Sequence, residues 1–232
     1  MIFQINLKTF KIILLILLLS LCISFRALGD FSKTWELSSK SIVSVLPTWP
    51  GYNKPGFGAP SGTAPEGSGI IIGENGLILT ASHVISRATE VLVRDINGKK
   101  YEAKVILNDI NTDLAVLKTD IKNEVIKINK SRPKTGSSVC LVSNAFGLGI
   151  NITCGVVSMN KISGIGFNDN EDFIQIDAAA NPGSSGGGVV NLKGELIGLM
   201  SGIFTKETDT NAGVNFAISS ELILNTIKDV LK

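Results

Sequence analysis

The segment ANPGSSGGGVV, residues 180–190, places an Asn-Pro turn and four glycines around two adjacent serines. Glycines are favoured where the backbone takes positive φ angles or lies close to another segment, so this stretch predicts a tight loop. The string GSSGG also fits the G-x-S-x-G turn that carries the nucleophile of α/β-hydrolases. In that fold the histidine follows the serine, whereas the single histidine, His83, precedes Ser185 by 102 residues. The α/β-hydrolase fold is therefore excluded.

Short apolar segments surround this loop and recur at close spacing. Gly, Asn and Asp separate nearly all of them, and helical periodicity is almost absent, so the pattern predicts an all-β sandwich or barrel system. A first strand, SIVSVL, precedes a stretch, residues 47–66, that holds five of the seven prolines and is predicted to be an exposed loop outside any ladder. The later segments are GSGIIIG, GLILTAS, TEVLVRD, YEAKVIL, DLAVLK, SSVCLVS, NITCGVVS, FIQIDA, GGVV, GELIGLM and VNFAI.

The strand-like segments fall into two halves. A lysine-rich stretch, about 119–134, separates the first half, about 41–118, from the second, about 135–218, and is predicted to be a linker. The last segment, SELILNTIKDVLK, has apolar residues at helical spacing, acid in its first turn and lysines late. It predicts a terminal packing helix over about 220–231.

The amino terminus carries a targeting pattern. Two lysines precede IILLILLLSLCI, residues 12–23, which contains one serine among apolar residues. An apolar run of about 10 to 14 residues is typical of a signal-peptide core, whereas a spanning helix needs about 20. Small residues lie three and one positions before a cut ahead of Asp30. Residues 1–29 are therefore predicted to be a signal peptide, with an uncleaved anchor as the alternative, and the protein to be periplasmic or secreted.

Cleavage there would remove Cys22 and leave Cys140 and Cys154, an even number suited to an oxidising compartment. These two cysteines lie in strand-like segments joined by a turn around FGLG, so a hairpin would bring the thiols together. One interpretation is a cross-strand disulfide. The other is a pair of small buried apolar side chains, because the sequence does not fix the Cα separation that a disulfide needs.

Charge and histidine content exclude several functions. The chain has 22 basic and 20 acidic residues, but from residue 30 onward the numbers are 19 and 20. A nucleic-acid partner needs clustered cations that this part lacks in excess, and none is expected. Because the chain has one histidine, metal sites that need two or more histidine ligands are excluded. We expect no metal and no cofactor.

The remaining chemistry lies in three residues in the order His, Asp, Ser. His83 ends an apolar strand, LILTASHVI, and Asp113 opens another, DLAVLK. A serine hydroxyl becomes a good nucleophile when a base accepts its proton and a carboxylate orients that base. Asp95 and Asp109 are alternative acids, and the head of a buried strand favours Asp113.

Three motifs around these residues resemble those of the trypsin-like serine proteases, specifically the HtrA/Deg branch. TASHV resembles its histidine motif, TDLAVLK its aspartate motif, and DAAANPGSSGG, residues 177–187, its serine motif. NAFGLGINITCGVVS and VNFAI extend the similarity over about 31–232. The resemblance implies one protease domain, 30–232, built as two six-stranded antiparallel β-barrels with a C-terminal packing helix.

The resemblance also assigns roles. His83 would act as general base and then acid, Asp113 would orient it, and Ser185 would form the acyl-enzyme. The backbone N–H groups of Gly183 and Ser185 would form the oxyanion hole.

The primary substrate pocket is expected around Ala179, six residues before Ser185, where trypsin carries the acid that selects basic side chains. Without that acid, small or medium aliphatic residues are expected in the pocket. Its other expected wall residues are Ala180, Leu199, Ser201 and Gly202.

Family resemblance also bears on partners. PDZ domains often follow the protease unit, but 47 residues remain after Ser185, so none is expected here. Family members frequently form trimers through amino-terminal contacts, and a homotrimer is one expectation. Phe31, Trp35 and Trp49 would either supply such contacts or cover the barrel core.

The leading interpretation is an exported serine endopeptidase, and the family resemblance implies unfolded or damaged proteins as its substrates and a role in protein quality control. The alternative is a catalytically silent protease fold that binds peptides. A third, a membrane-tethered structural protein, requires the uncleaved anchor.

Overall fold

The computed structural model describes residues 6–24, 30–52, 65–205 and 211–231. Two units are distinguished, Met1–Phe31 and Ser32–Lys232. In the first, helix α1 spans Leu7–Ser24. Within the ranges just given, no helix has both the length and the hydropathy needed to cross a bilayer. The small residues before the expected signal cleavage lie outside the described residues.

The second unit contains the β structure. In chain order its elements are α2 (Ser32–Ser38), a 3₁₀ turn (Ser39–Ser41), β1 (Ile42–Thr48), β2 (Gly67–Gly73), β3 (Leu77–Ala81), α3 (Ser82–Ile85), β4 (Glu90–Arg94), β5 (Lys100–Asp109), β6 (Leu114–Lys118), β7 (Ser138–Ser143), a 3₁₀ turn (Ala145–Gly147), β8 (Asn151–Ile162), β9 (Phe173–Ile176), β10 (Gly188–Asn191), β11 (Leu196–Thr205), β12 (Asn211–Ser219) and α4 (Ser220–Ile227).

These strands form two closed antiparallel barrels, with the orders β1-β2-β3-β6-β5-β4 and β10-β11-β12-β9-β8-β7. The prediction of two six-stranded barrels with a terminal helix is therefore confirmed. β3 is buried at all five positions, and β6 at four of five, because both lie between other elements of the N-terminal barrel. β3 ends two residues before His83, and β6 begins directly after Asp113.

The proline-rich stretch begins later than predicted. Pro47 lies in β1 opposite Val91 of β4, and Thr48 continues the pairing. β1 pairs with β2 only as far as Val45, so beyond that residue one side of the strand has no partner strand. Proline, which has no N–H to donate, is accepted at such a position. Residues 53–64 of the predicted loop lie outside the described residues.

The terminal helix is shorter than the predicted 220–231. Ser219 caps it, because its hydroxyl accepts from the N–H of Leu222 at 3.1 Å. The helix ends at Ile227, which is fully buried, whereas Leu231 is 42% exposed. Packing supplies most of the stability of a short helix, so the helix ends where its apolar contacts end.

The lysine-rich linker contacts both barrels. The N–H of Ile126 donates to the carbonyl of Ile71 in β2, and the N–H of Leu196 in β11 donates to the carbonyl of Lys127. Lys127 pairs with the carboxylate of Glu195, and Asn129 donates to it as well. These hydrogen bonds, with Lys127 the largest cause, lower the pKa of Glu195 to about 2. The linker therefore fastens one barrel to the other.

A disulfide joins Cys140 and Cys154 across the β7–β8 ladder, where the two residues face each other with a Cα separation of 4.1 Å. Of the two interpretations left open by the sequence, the structure has the bond. Replacing both cysteines with alanine should lower the free energy of unfolding by about 3 kcal/mol, since the bond closes a loop of 14 residues.

Urea unfolding with and without a reductant measures this. Reductant should destabilise the wild type by about the same amount and leave the double variant unchanged. Equal stability of wild type in both conditions would contradict the prediction.

Candidate active site

Pairing of β3 with β6 brings the predicted histidine and aspartate together. Ala81, the last residue of β3, lies opposite Leu114, the first residue of β6. The chain turns into α3 directly after Ala81, and the N–H of Ser82 donates to the carbonyl of Asp113 at 3.0 Å. His83 and Asp113 are thus held side by side by backbone register.

Their side chains form a close pair. His83 Nδ1 lies 2.9 Å from Oδ2 and 3.0 Å from Oδ1 of Asp113. The backbone N–H of His83 donates to Oδ1 at 2.9 Å. The side chain of Asp113 is 8% exposed and that of His83 is 50% exposed. The buried carboxylate therefore contacts one nitrogen of a half-exposed imidazole, which leaves the other ring nitrogen available for proton transfer.

Asp113 has a positive φ of 58°. Aspartate tolerates this left-handed conformation better than most residues. The alternative acids have other roles: Asp95 accepts from the N–H groups of Asn97 and Lys99, and Asp109 accepts from Thr112 Oγ1 at 2.8 Å. Both stabilise turns.

Ser201 holds the second oxygen of the carboxylate. Its hydroxyl donates to Asp113 Oδ2 at 2.6 Å. Ser201, which the sequence predicts as part of the pocket wall, directs its hydroxyl to the acid. Its carbonyl oxygen lies 3.5 Å from Ser185 Oγ. Ser201 thus lies between the acid and the predicted nucleophile.

Ser185 lies in the glycine-rich loop that precedes β10. Within the described residues, no hydrogen bond joins its Oγ to the imidazole of His83; the recorded partner of Oγ is the carbonyl of Ser201. Catalytic hydrogen bonds are often long without substrate and shorten when substrate binds. Ser201 therefore links Ser185 to the acid, since its hydroxyl donates to Asp113 and its carbonyl accepts from Ser185 Oγ.

The loop leaves two backbone donors unused. The N–H of Ser184 donates to the carbonyl of Asn181, and the N–H of Gly186 donates to the carbonyl of Met200. The N–H groups of Gly183 and Ser185 donate to no acceptor among the described residues. Gly183 has a φ of 94°, and a Cβ there would lie 2.5 Å from the carbonyl of Asn144, so only glycine fits. Two free N–H groups beside a hydroxyl are the arrangement that an oxyanion hole needs.

The other expected pocket residues lie in different surroundings. Ala180 and Leu199 are fully buried in the C-terminal barrel. Ala179 is exposed, and its carbonyl accepts from Thr153 Oγ1 at 2.7 Å. A Cβ on Gly202 would lie 3.0 Å from the ring of Phe167.

Sequence reasoning missed two side chains near these residues. Asn215 is fully buried, and its Nδ2 donates to the carbonyl of Ala178 at 2.9 Å, next to the expected pocket. A polar residue inside the apolar segment VNFAI was the available signal. Phe167 covers Gly202 from the β8–β9 loop, and no local pattern marked it.

No group of three or more His, Cys, Asp or Glu side chains in the described part of the chain could hold a metal ion.

Comparisons with known proteins identify the family of the chain. The sequence-family model of the trypsin-like peptidase domain matches residues 67–199 of this chain. A probable periplasmic serine endoprotease, DegP-like, of Buchnera aphidicola subsp. Baizongia pistaciae is 42% identical over 170 residues, which cover 72% of this chain and 36% of that protein. The periplasmic serine endoprotease DegP of Escherichia coli K12 is 35% identical over 170 residues, with the same coverage. The chain thus spans about a third of the length of these curated relatives.

Solved structures give the same result. The HtrA-type protease AlgW with tripeptide superimposes with a TM-score of 0.78 at 31% identity, covering 88% of this chain and 64% of that one. The serine endoprotease from Yersinia pestis gives a TM-score of 0.70 at 33% identity, covering 88% and 67%. The chain belongs to the trypsin-like peptidases and, within them, to the HtrA/DegP group.

Proposed function

We propose that this chain is a serine endopeptidase that uses His83, Asp113 and Ser185. The observation that carries the proposal is the contact of 2.9 Å between His83 Nδ1 and the buried carboxylate of Asp113. This contact fixes the imidazole proton on Nδ1, so Nε2 is free to accept the proton of Ser185. A buried acid, a half-exposed base and a nearby hydroxyl with two free N–H groups suit acyl transfer better than any other reaction.

The reaction would run in two halves. Ser185 Oγ attacks the scissile carbonyl while His83 Nε2 takes the hydroxyl proton, and the oxyanion that forms accepts from the N–H groups of Gly183 and Ser185. His83 then gives that proton to the leaving amine, and the C–N bond breaks. Water, deprotonated by His83, attacks the acyl-enzyme, and the proton returns to Ser185 as the acid product leaves.

The compartment and substrate follow from relatives and sequence together. Two relatives are named as periplasmic endoproteases. The apolar run after two lysines supports export, and we propose that residues 1–29 are removed and 30–232 remain as the protease domain. Mass spectrometry of the mature amino terminus tests this. Unfolded or damaged polypeptides are the proposed substrates, and a homotrimer is the proposed assembly.

The primary pocket is proposed to take small or medium aliphatic side chains. An exposed alanine, Ala179, stands where an acid would be needed to pair a basic side chain. Burying an unpaired ammonium group is costly, so kcat/KM should be at least about 100-fold higher for a peptide with valine before the cut than for one with lysine. Matched fluorogenic peptides that differ only there measure this ratio. Cleavage mainly after Lys or Arg in a peptide library would contradict it.

Fluorophosphonate labelling tests the activity itself. The probe reacts with a serine only when a base and an oxyanion hole activate it, so the mature protein should be labelled and should degrade β-casein. The Ser185→Ala variant should do neither. Failure of the wild type to react under several activating conditions would favour the alternative, a peptide-binding module without catalysis.

A further inference from the structure

Ser68, in β2 of the N-terminal barrel, lies against the Ser185 loop of the C-terminal barrel. Its hydroxyl donates to the carbonyl of Gly183 at 2.7 Å, and its N–H donates to the carbonyl of Ser185 at 2.8 Å. Its own carbonyl accepts from Thr80 Oγ1 at 2.7 Å. Ser68 is fully buried. One residue of the first barrel therefore holds the carbonyls of both residues whose N–H groups are the proposed oxyanion donors.

These contacts fix peptide groups on either side of the free donor of Ser185. The group between Gly183 and Ser184 is held at its carbonyl by the Ser68 hydroxyl and at its N–H by Asn181. The group between Ser185 and Gly186 is held at its carbonyl by the Ser68 N–H and at its N–H by Met200. The intervening peptide group is held at its own carbonyl, because the N–H of Gly187 donates to the carbonyl of Ser184 at 2.9 Å, and Ser68 holds the peptide groups on both sides of it.

The second donor is held through Asn144. The Ser68 hydroxyl accepts from the N–H of Asn144 at 2.8 Å. Asn144 begins the turn whose Phe146 N–H donates to the carbonyl of Pro182 at 2.7 Å. That carbonyl belongs to the same peptide group as the N–H of Gly183. The direction of the Gly183 donor therefore depends on this turn.

The ion pair between Glu66 and Arg94 stabilises the turn that begins at Asn144. Asn144 Nδ2 donates to Glu66 Oε2 at 2.7 Å. Arg94 donates to both oxygens of Glu66, at 3.1 and 2.6 Å, in the bidentate geometry that makes arginine–carboxylate pairs strong. The side chains of Arg94 and Glu66 are 25% and 19% exposed, so water screens the pair only in part. Hydrogen bonds thus run from Arg94 through Glu66 and Asn144 to Ser68.

We infer that Ser68 is a positioning residue that holds the oxyanion hole in its working direction, with Glu66 and Arg94 as its support. The inference rests on the proposed function, because it concerns donors that act on the transition state. Ser68 touches no reacting atom. It acts through the carbonyls of Gly183 and Ser185, so its removal should weaken transition-state binding while leaving ground-state binding unchanged.

The test is the Ser68→Ala variant. Loss of the hydroxyl leaves the carbonyl of Gly183 and the N–H of Asn144 without partners, so the Gly183–Ser184 peptide group is held at its N–H alone, by Asn181, and the Asn144 turn loses one of its hydrogen bonds. We expect kcat to fall about 100-fold while KM changes less than about threefold, since one lost oxyanion donor costs about 10² to 10³ in rate. A peptide aldehyde forms an oxyanion in the hole, so its affinity should fall by the same factor. Affinity for the cleaved peptide should stay unchanged.

Ser38→Ala is the matched control. Ser38 is also fully buried, and its hydroxyl donates to a backbone carbonyl, that of Thr34, at 2.7 Å, but it lies in α2 away from the cleft. Both variants lose one buried hydroxyl, so similar falls in Tm are expected. Only Ser68→Ala should lose kcat and aldehyde affinity.

Unchanged kcat in Ser68→Ala, or equal weakening of aldehyde and cleaved peptide, would overturn the inference. If Ser68→Ala does not fold, Glu66→Gln takes its place, because it keeps the side-chain size while it weakens both the bidentate pair with Arg94 and the hydrogen bond from Asn144; kcat should fall about tenfold, and unchanged kcat would again overturn the inference. Absence of hydrolysis by the wild type would instead contradict the proposed function, so the two failures are distinguishable.

Discussion

Alanine at position 185 is expected to lower kcat by about 10⁶-fold, because it removes the nucleophile and with it the acyl-enzyme route. About 10³ to 10⁴ of the acceleration over water should survive, since the free N–H groups of Gly183 and Ser185 stay in place for direct attack by water. Peptide affinity should change little, because the hydroxyl contributes to the transition state and not to ground-state binding. Single-turnover hydrolysis of a fluorogenic peptide measures both quantities.

Ser184→Ala is the matched control, since Ser184 is adjacent and also carries a hydroxyl. Its Oγ accepts from Ser143 Oγ at 3.1 Å and from the N–H of Asn181 at 3.2 Å, so it is used inside the loop. That variant should still react with a fluorophosphonate. If the probe labelled Ser185→Ala but not Ser184→Ala, the nucleophile would be Ser184, and the prediction would be wrong.

Asp113→Asn is expected to lower kcat by about 10⁴-fold. Oδ1 accepts from the backbone N–H of His83, so the carboxamide oxygen should take that place and its NH₂ the place of Oδ2. The NH₂ group would then donate to His83 Nδ1, which must become an acceptor. The ring proton moves to Nε2, and the imidazole can no longer take the proton of Ser185. The kcat of the purified variant, with its Tm beside that of wild type, checks this.

Asp109→Asn serves as its control. Asp109 lies in the turn just before Asp113 and accepts from the N–H of Asn111 at 3.0 Å and from Thr112 Oγ1 at 2.8 Å. Loss of its charge should cost stability but change kcat less than about threefold, because it does not contact the imidazole. If kcat fell more in Asp109→Asn than in Asp113→Asn, Asp109 and not Asp113 would be the acid that orients His83, and the prediction would be wrong.

The strands could be predicted because they depend on local features: most are apolar segments separated by Gly, Asn or Asp, a pattern that indicates an all-β sandwich or barrel system. The family resemblance, and not this pattern, implied the two six-stranded barrels, because their closure pairs strands far apart in the chain, such as β1 with β4. Among the strands, Pro47 was the exception. Proline argues against strand pairing in general, and its acceptance in β1 depends on where β2 stops, which only the register reveals.

The site divides in the same way. His83, Asp113 and Ser185 each carry a motif around them, and their order along the chain indicated one cleft. Ser201 and Ser68 have no such marks: the first reaches Asp113 across 88 residues and the second reaches Gly183 across 115. Their roles depend on contacts between the two barrels. Such contacts join residues far apart in the chain and produce no local sequence pattern.

Closure of both barrels has a consequence for a protein that would handle unstructured polypeptides. Such chains present unpaired backbone N–H and C=O groups, and any sheet with an open margin offers them a template on which to add, the first step toward amyloid-like assembly. In each barrel the six strands pair into a closed ring, so a strand edge is open only locally, as in β1 beyond Val45. Closure therefore leaves the two barrels little open strand edge on which another chain could add.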